Sequence, residues 1–191
     1  MPVRHRSLNR RSPFPSLLDI FVLSMLDRGL ETSYSLQRRG GLSVGSTIPV
    51  LGRLETAGLA KKAEVLGGSK RRRHAYQLSA AGRKLARTGW MPLLEDPPSA
   101  DLDALLRLAD LASHYGAKTT DIASLFERAA TDRTVLSRRA AAGKTKVGAP
   151  SLLYVATRNG WHSGRMAAEA KFLRSLAKSA SAVAPKKSKT S

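Results

Sequence analysis

The sequence predicts a mainly α-helical chain that carries one small two-stranded sheet and continues as helices beyond it. Three observations predict this. Apolar residues recur at helical spacing through most of the 191 residues. Only the stretch 59–78 departs from that period, with two short runs around Gly67-Gly68-Ser69 that read as a hairpin. Lys and Arg outnumber Asp and Glu by 33 to 14, giving a net charge of +19 and a pI near 11.2, so the partner should be a polyanion.

The elements follow in order. Residues 1–15 are rich in Arg, Ser and Pro and are expected to form a flexible basic arm. Ser16 caps a helix that runs to about Arg28, where Gly29 stops it. Apolar residues from Leu17 to Leu26 nearly surround that helix, so it should be buried. The same run follows a basic N-terminus and imitates a targeting segment. Asp19 interrupts it, however, and it falls short of the roughly 20 residues that span a membrane. A short helix near Ser33–Arg39 is anchored by Tyr34 and Leu36, and Gly40-Gly41 makes the turn after it.

Ser43 caps the next helix, which ends at Gly58. Val44, Ile48, Leu51 and Leu54 recur at spacings of four, three and three and are expected to form its apolar stripe. Ser46, Thr47, Val50, Gly52, Arg53 and Thr56 lie off that stripe. Pro49 sits inside this helix at a cost of about 3 kcal/mol, which tertiary context must offset. Residues 59–66 and 73–78 read as strands, and Ser79 caps a helix reaching about Gly89. The Glu95–Ser99 segment, with two prolines, reads as a linker.

Beyond the linker, Leu102, Leu105, Leu106, Ala109 and Ala112 mark one helix, stopped by Gly116. Thr120 caps another, with Ile122, Leu125, Phe126 and Ala129 on one face. A third covers Arg133–Ala142. Residues 143–150 form a loop, and helices cover Ser151–Arg158 and Ser163–Lys178 with a break at Asn159-Gly160. Met166, Ala170, Leu173 and Ala177 make a narrow stripe suited to helix pairing. From Ser179 the Ala/Ser/Lys/Pro tail reads as disordered.

Charge divides along the chain. Residues 1–90 hold 17 basic and 5 acidic residues, 91–142 hold 6 and 8, and 143–191 hold 10 and 1. The chain lacks cysteine, which removes any disulfide framework and suits a reducing compartment. The four histidines His5, His74, His114 and His162 are dispersed, so no metal site is expected. No cofactor is expected either. Gly41–Gly45 matches the G-x-S-x-G nucleophile elbow, but no strand precedes it and no β/α alternation surrounds it. Gly143-Lys144-Thr145 imitates the end of a phosphate loop, yet Arg138 stands where its first glycine is needed. Catalysis is not expected.

Helix, helix, glycine-terminated helix, hairpin, helix is the winged helix-turn-helix order. Within it, Tyr34 and Leu36 match a family pattern, as do Ser43, Gly45, Pro49, Leu51, Arg53, Leu54, Glu55, Gly58 and Leu59. So do Gly67, Gly68, Arg71–Arg73, Tyr76, Leu78, Ser79 and Gly82. In these residues the chain resembles the PadR family of bacterial transcription regulators over about residues 16–90. The resemblance implies a DNA-binding regulator, accounts for Pro49, and leaves two departures. Ile48 stands where the family has tyrosine, and Gly52 where a basic residue is common.

The expected architecture is therefore a winged helix domain over residues 16–90, a linker over 91–100, a helical dimerisation or sensing region over 101–178, and a tail over 179–191. The expected DNA-binding residues are Ser43, Ser46, Thr47 and Arg53 on the recognition helix, then Lys70, Arg71, Arg72, Arg73 and His74 on the wing. The expected partner is double-stranded DNA, bound by a cytoplasmic, nucleoid-associated homodimer acting as a repressor. Arg4, Arg6, Arg10 and Arg11 read equally as a minor-groove arm or a solvated tail. Trp90, Tyr115, Tyr154 and Trp161 read as core or interface residues, with a pocket for a small aromatic effector as the sharper reading. Two alternatives stand beside this: a sequence-tolerant chromosome-associated protein, and a winged-helix adaptor that binds protein.

Overall fold

The computed structural model describes residues 15–66, 72–97, 101–142 and 150–182, which fall into two compact units divided between Trp90 and Met91. The first unit contains α1 (Leu17–Asp27), α2 (Ser33–Arg38), α3 (Val44–Thr56), β1 (Ala60–Leu66), β2 (Arg72–Leu78) and α4 (Ala80–Thr88). The second contains α5 (Met91–Glu95), α6 (Leu102–His114), α7 (Thr119–Ala142) and α8 (Pro150–Ala182).

In the first unit α1 is the central element, with α3, α4 and β2 packed on it. Its residues Ile20 to Leu26 are all buried, as an apolar surface on nearly every side requires. A reciprocal capping box starts it: the Asp19 amide donates to Ser16 Oγ while Ser16 N donates to the Asp19 carboxylate. Thr32 and Ser35 repeat the device at α2. Leu36 of α2 is fully buried, but Tyr34 is exposed and anchors nothing within the unit. Two residues on, Leu36 faces α3 and fills that role alone.

The α3 helix ends as its sequence demands. Gly58 adopts φ +66°, its N–H donates to Glu55 O, and the Leu59 N–H reaches back to Leu54 O at 2.9 Å. That is a Schellman motif, which needs the left-handed conformation glycine adopts without penalty. Leu59 then leads into β1. Strands β1 and β2 pair antiparallel in the register Ala60↔Leu78 to Leu66↔Arg72. A single bridge, Thr32↔Ala75, adds the chain after α1 to the outer edge of β2, supported by the Tyr76 N–H donating to Glu31 O. After β2, Ser79 caps α4 and also donates to Leu59 O. Here α4 runs so close to the chain that a Cβ on Gly82 would stand 2.0 Å from the Leu59 carbonyl oxygen.

The second unit is all helical among the described residues. The short helix α5 occupies the start of the stretch expected as a linker and packs on α6 and α7. Most of the expected stripes on α6 and α7 is buried, including Leu105, Ala109, Ala112, Ile122, Leu125, Phe126 and Ala129; Leu102 and Leu106 are half-buried instead. The expected separate helix over Arg133–Ala142 is the continuation of α7.

Likewise, α8 runs unbroken through Asn159-Gly160 for 33 residues. Its stripe Met166, Ala170, Leu173 and Ala177 is buried where α8 packs on α7. One glycine costs only about 1 kcal/mol in a helix, less than that packing returns. Arg133 Nε meets the Glu169 carboxylate at 2.7 Å, and Ser137 Oγ donates to Ser163 O at 2.9 Å. The two pairs run in opposite senses along the chain, so α7 and α8 are antiparallel. The expected loop over 143–150 lies outside the described residues, apart from Pro150, which begins α8; of the tail expected over 179–191, residues 179–182 instead continue α8, and the rest lies outside the described residues.

Candidate nucleic-acid interface

Helix α3 follows α2 through a turn at Gly40 and Gly41, and Val44, Gly45, Ile48 and Pro49 in its N-terminal half are exposed. Ser43 caps it: its Oγ accepts from the Ser46 N–H at 3.2 Å and lies 2.9 Å from Ser46 Oγ. The buried face of the helix is Thr47, Val50, Leu51 and Leu54. This corrects the stripe expected from spacing. Val44 and Ile48 are 57 % and 59 % exposed, and Thr47 and Val50 take the inward positions instead. Spacings of three, one and three fit a helix as well as those of the expected stripe. Thr47 tolerates burial because its hydroxyl donates to Ser43 O at 2.7 Å.

Thr47 is thereby removed from the set of surface contacts, since none of its surface reaches solvent. Ser43 is exposed and Ser46 half-exposed. Arg53 sits one turn beyond Pro49, and its Nη2 lies 2.6 Å from Asp19 Oδ1. That carboxylate is almost fully buried while the Arg53 side chain is 47 % exposed. One end of the guanidinium therefore clamps α3 to α1, and the rest of it faces outward. Sequence reading missed Asp19 as its partner, 34 residues away, because no local spacing signals such a pair.

The outward face of α3 is thus Val44, Gly45, Ile48, Pro49, Gly52, Arg53, Glu55 and Thr56. Pro49 lies on this exposed side, four residues after exposed Gly45. The carbonyl that proline leaves without a donor therefore belongs to the solvent-facing side of the helix, which softens the penalty. An open, mostly apolar groove of about 560 Å³ is lined by Pro49, Gly52, Arg53, Thr56 and Ala57. A Cβ on Gly52 would meet nothing within 4 Å. Thr56 turns its hydroxyl onto Gly52 O at 2.9 Å.

On the hairpin, His74, Lys61 and Lys62 are exposed. Arg72 and Arg73 are placed by backbone alone, paired with Leu66 and Val65 at the end of the ladder nearest the turn. Lys70 and Arg71 lie outside the described residues, as do Arg4, Arg6, Arg10 and Arg11. The structure thus brings Ser43, Ser46 and Arg53 onto one helix and leaves their relation to Lys70 and Arg71 undescribed. Behind the sheet, burial and then the charge of Glu55 raise the Tyr76 phenol above its ordinary value.

Ser43 also belongs to the G-x-S-x-G match, but a helix and a turn precede it, not a strand. The phosphate-loop match at Gly143–Thr145 lies outside the described residues. Among the described residues no three His, Cys, Asp or Glu side chains gather as metal ligands, and no helix is long and apolar enough to cross a membrane. Of the four aromatics expected in the core or at an effector pocket, Tyr154 has its side chain outside the described residues. Trp90 is a core residue that donates Nε1–H to Arg87 O at 2.8 Å, and Trp161 is exposed beneath Arg165. A separate open groove between α7 and α8 is lined by Arg133, Leu136, Arg139, His162, Arg165 and Met166, among others.

No protein-family model and no curated protein matches the chain. Among solved structures, the chain is similar to Bacillus subtilis PadR in complex with operator DNA, at 15 % identity and a TM-score of 0.38, with 86 % of this chain and 99 % of that chain covered. The chain's own order of helices and strands makes the first unit a winged helix-turn-helix, and its motif residues resemble those of the PadR family.

Proposed function

We propose that the protein is a DNA-binding transcription regulator of PadR type, acting as a repressor in the cytoplasm. The observation that carries this reading is the outward N-terminal half of α3, beside a basic hairpin, in a unit of 17 basic and 5 acidic residues. In helix-turn-helix proteins that half of the recognition helix enters the major groove. Ser43, Ser46 and the outer part of Arg53 meet the duplex there, while Lys70, Arg71, Arg72, Arg73 and His74 of the wing hold phosphates. The second unit serves as the dimerisation and sensing region, so the operator carries two-fold symmetry.

Selection from a randomised duplex pool, followed by anisotropy titrations at several salt concentrations, tests this. The expected result is an enriched two-fold symmetric sequence that binds far more tightly than random duplex. The log–log salt slope should steepen by about 0.9 for each phosphate neutralised. Equal affinity for all duplexes sinks the repressor reading and favours the sequence-tolerant chromosome protein, a reading supported by how few hydroxyls on α3 remain free of the backbone. Full function after changing Arg71, Arg72 and Arg73 together to alanine would favour the protein-binding adaptor.

A further inference from the structure

Apart from the exposed Glu55 carboxylate, the outward face of α3 is poor in free hydrogen-bonding groups. Ser46 Oγ donates to Ser43 O, Thr47 Oγ1 is buried on the same carbonyl, and Thr56 Oγ1 is held by Gly52 O. Arg53 spends part of its guanidinium on Asp19. What this face offers instead is aliphatic surface. Val44 and Ile48, one helical turn apart, are both more than half exposed, and beyond them Pro49 and Gly52 form part of an open apolar groove.

Soluble surfaces hold single exposed aliphatics without consequence, but Val44 and Ile48, at i and i+4, stand side by side on the helix surface. The occupant is chosen by charge. The surrounding unit carries 12 more positive than negative charges (17 basic, 5 acidic), with Lys61, Lys62 and His74 exposed on the hairpin. That environment draws a polyanion toward an apolar face. In a major groove the one apolar group a base pair presents is the thymine C5-methyl. Gly52, with open space where a side chain would stand, lets the duplex approach α3 closely.

We propose that Val44 and Ile48 read thymine methyl groups, so that this protein selects its site by apolar contact with thymine more than by hydrogen bonds to base edges. The inference rests on the DNA-binding reading above. Ile48 takes one methyl and Val44 a neighbouring one, with Pro49 and Gly52 against the sugar–phosphate ridge.

The test uses the full chain and the tightest duplex from the random pool, with each thymine replaced in turn by deoxyuridine. Uracil keeps the base pair and loses only the methyl. One or two positions in each half-site should lose about fourfold in affinity per methyl removed. In Ile48→Ser the same replacement should change nothing at one of them, while the roughly fourfold loss at the position read by Val44 remains. Ile48 is exposed, so this variant folds. If no deoxyuridine position weakens binding while the selected duplex still beats random duplex, the methyl reading is overturned and the regulator reading stands. If Ile48→Ser keeps the wild-type thymine preference, the methyl reading is likewise overturned. Failure to bind any duplex overturns both.

Discussion

The Asp19–Arg53 pair decides how firmly α3 is held, and its strength follows from the asymmetry of its two ends. The Asp19 carboxylate is 2 % exposed and accepts three hydrogen bonds, from Ser16 N at 2.9 Å, Ser16 Oγ at 2.6 Å and Arg53 Nη2 at 2.6 Å. An exposed ion pair contributes about 0.2–1 kcal/mol, and breaking a fully buried one costs about 3–5. This pair lies between those limits. Without the arginine, the carboxylate keeps the two Ser16 bonds but loses the charge-assisted bond from Arg53, in a place water reaches poorly. With Arg53 itself 47 % exposed, the discounted cost of Arg53→Met is about 2 kcal/mol.

The methionine keeps the apolar stem, so the loss isolates the charge-assisted bond. Asp19→Ala should cost somewhat more, about 3 kcal/mol, because it also dismantles the capping box of α1. Placed together, the two changes should cost little beyond Asp19→Ala alone, a coupling of about 2 kcal/mol. The assay is urea unfolding followed by the fluorescence of buried Trp90 in a Trp161→Phe background, which silences the second unit. For a unit of this size, about 2 kcal/mol corresponds to a fall of roughly 8–16 °C in its Tm. A cost below about 0.5 kcal/mol for Arg53→Met, or no coupling in the cycle, would refute the clamp and return Arg53 wholly to the surface.

Four further outcomes are expected. Thr47→Val removes a buried hydroxyl that donates to Ser43 O, so it should cost about 1 kcal/mol in urea unfolding and leave the apparent affinity for duplex within about twofold. Gly82→Ala drives a Cβ to 2.0 Å from the Leu59 carbonyl oxygen, a clash with backbone that should cost about 3 kcal/mol by the same Trp90 signal. Leu173→Ala empties a fully buried position on α8 and should lower the stability of the second unit by about 3 kcal/mol, read by far-ultraviolet circular dichroism. Tyr76 has its phenol raised above 10.0, first by burial and then by Glu55. Its contribution is therefore complete below the unfolded value and lost as pH rises through the higher folded one. Tyr76→Phe should flatten the fall in urea midpoint between about pH 9 and pH 11 relative to wild type.

The helical stripes that pack against one partner helix could be read from spacing alone. Met166, Ala170, Leu173 and Ala177 are buried as a set because α7 covers one narrow face of α8 and nothing else competes for it. The caps at Ser16, Ser43 and Ser79 could be read too, since a hydroxyl followed by apolar periodicity satisfies a local need. The face of α3 could not. Its sequence offers two stripes about 100° apart, one through Val44 and Ile48 and one through Thr47 and Val50, and hydropathy prefers the wrong one. The choice is made by long-range partners, by α1 and β1 packing behind α3 and by Asp19 seizing Arg53, none of which leaves a trace in local spacing. Tyr34 was misplaced for the same reason, as was the supposed break at Gly160, where the long contact with α7 outweighs one weak helix former.

These errors share a direction, and the direction bears on function. Both residues that hydropathy sent inward at the start of α3 stand outside, and the polar Thr47 is inside. The inner face is specified by shape and by the Thr47 hydroxyl, which closes on Ser43 O, so α3 keeps its place without spending Val44 or Ile48 on the core. The outer face then combines three poor helix formers, Gly45, Pro49 and Gly52, with two branched aliphatics. Nothing about helix stability favours that combination, since each glycine costs about 1 kcal/mol and an interior proline about 3. A face assembled against helix propensity has to be maintained by what it touches. In this unit the clamp at Arg53 and the Schellman ending at Gly58 hold the helix, which leaves its outer face free for the contact proposed above.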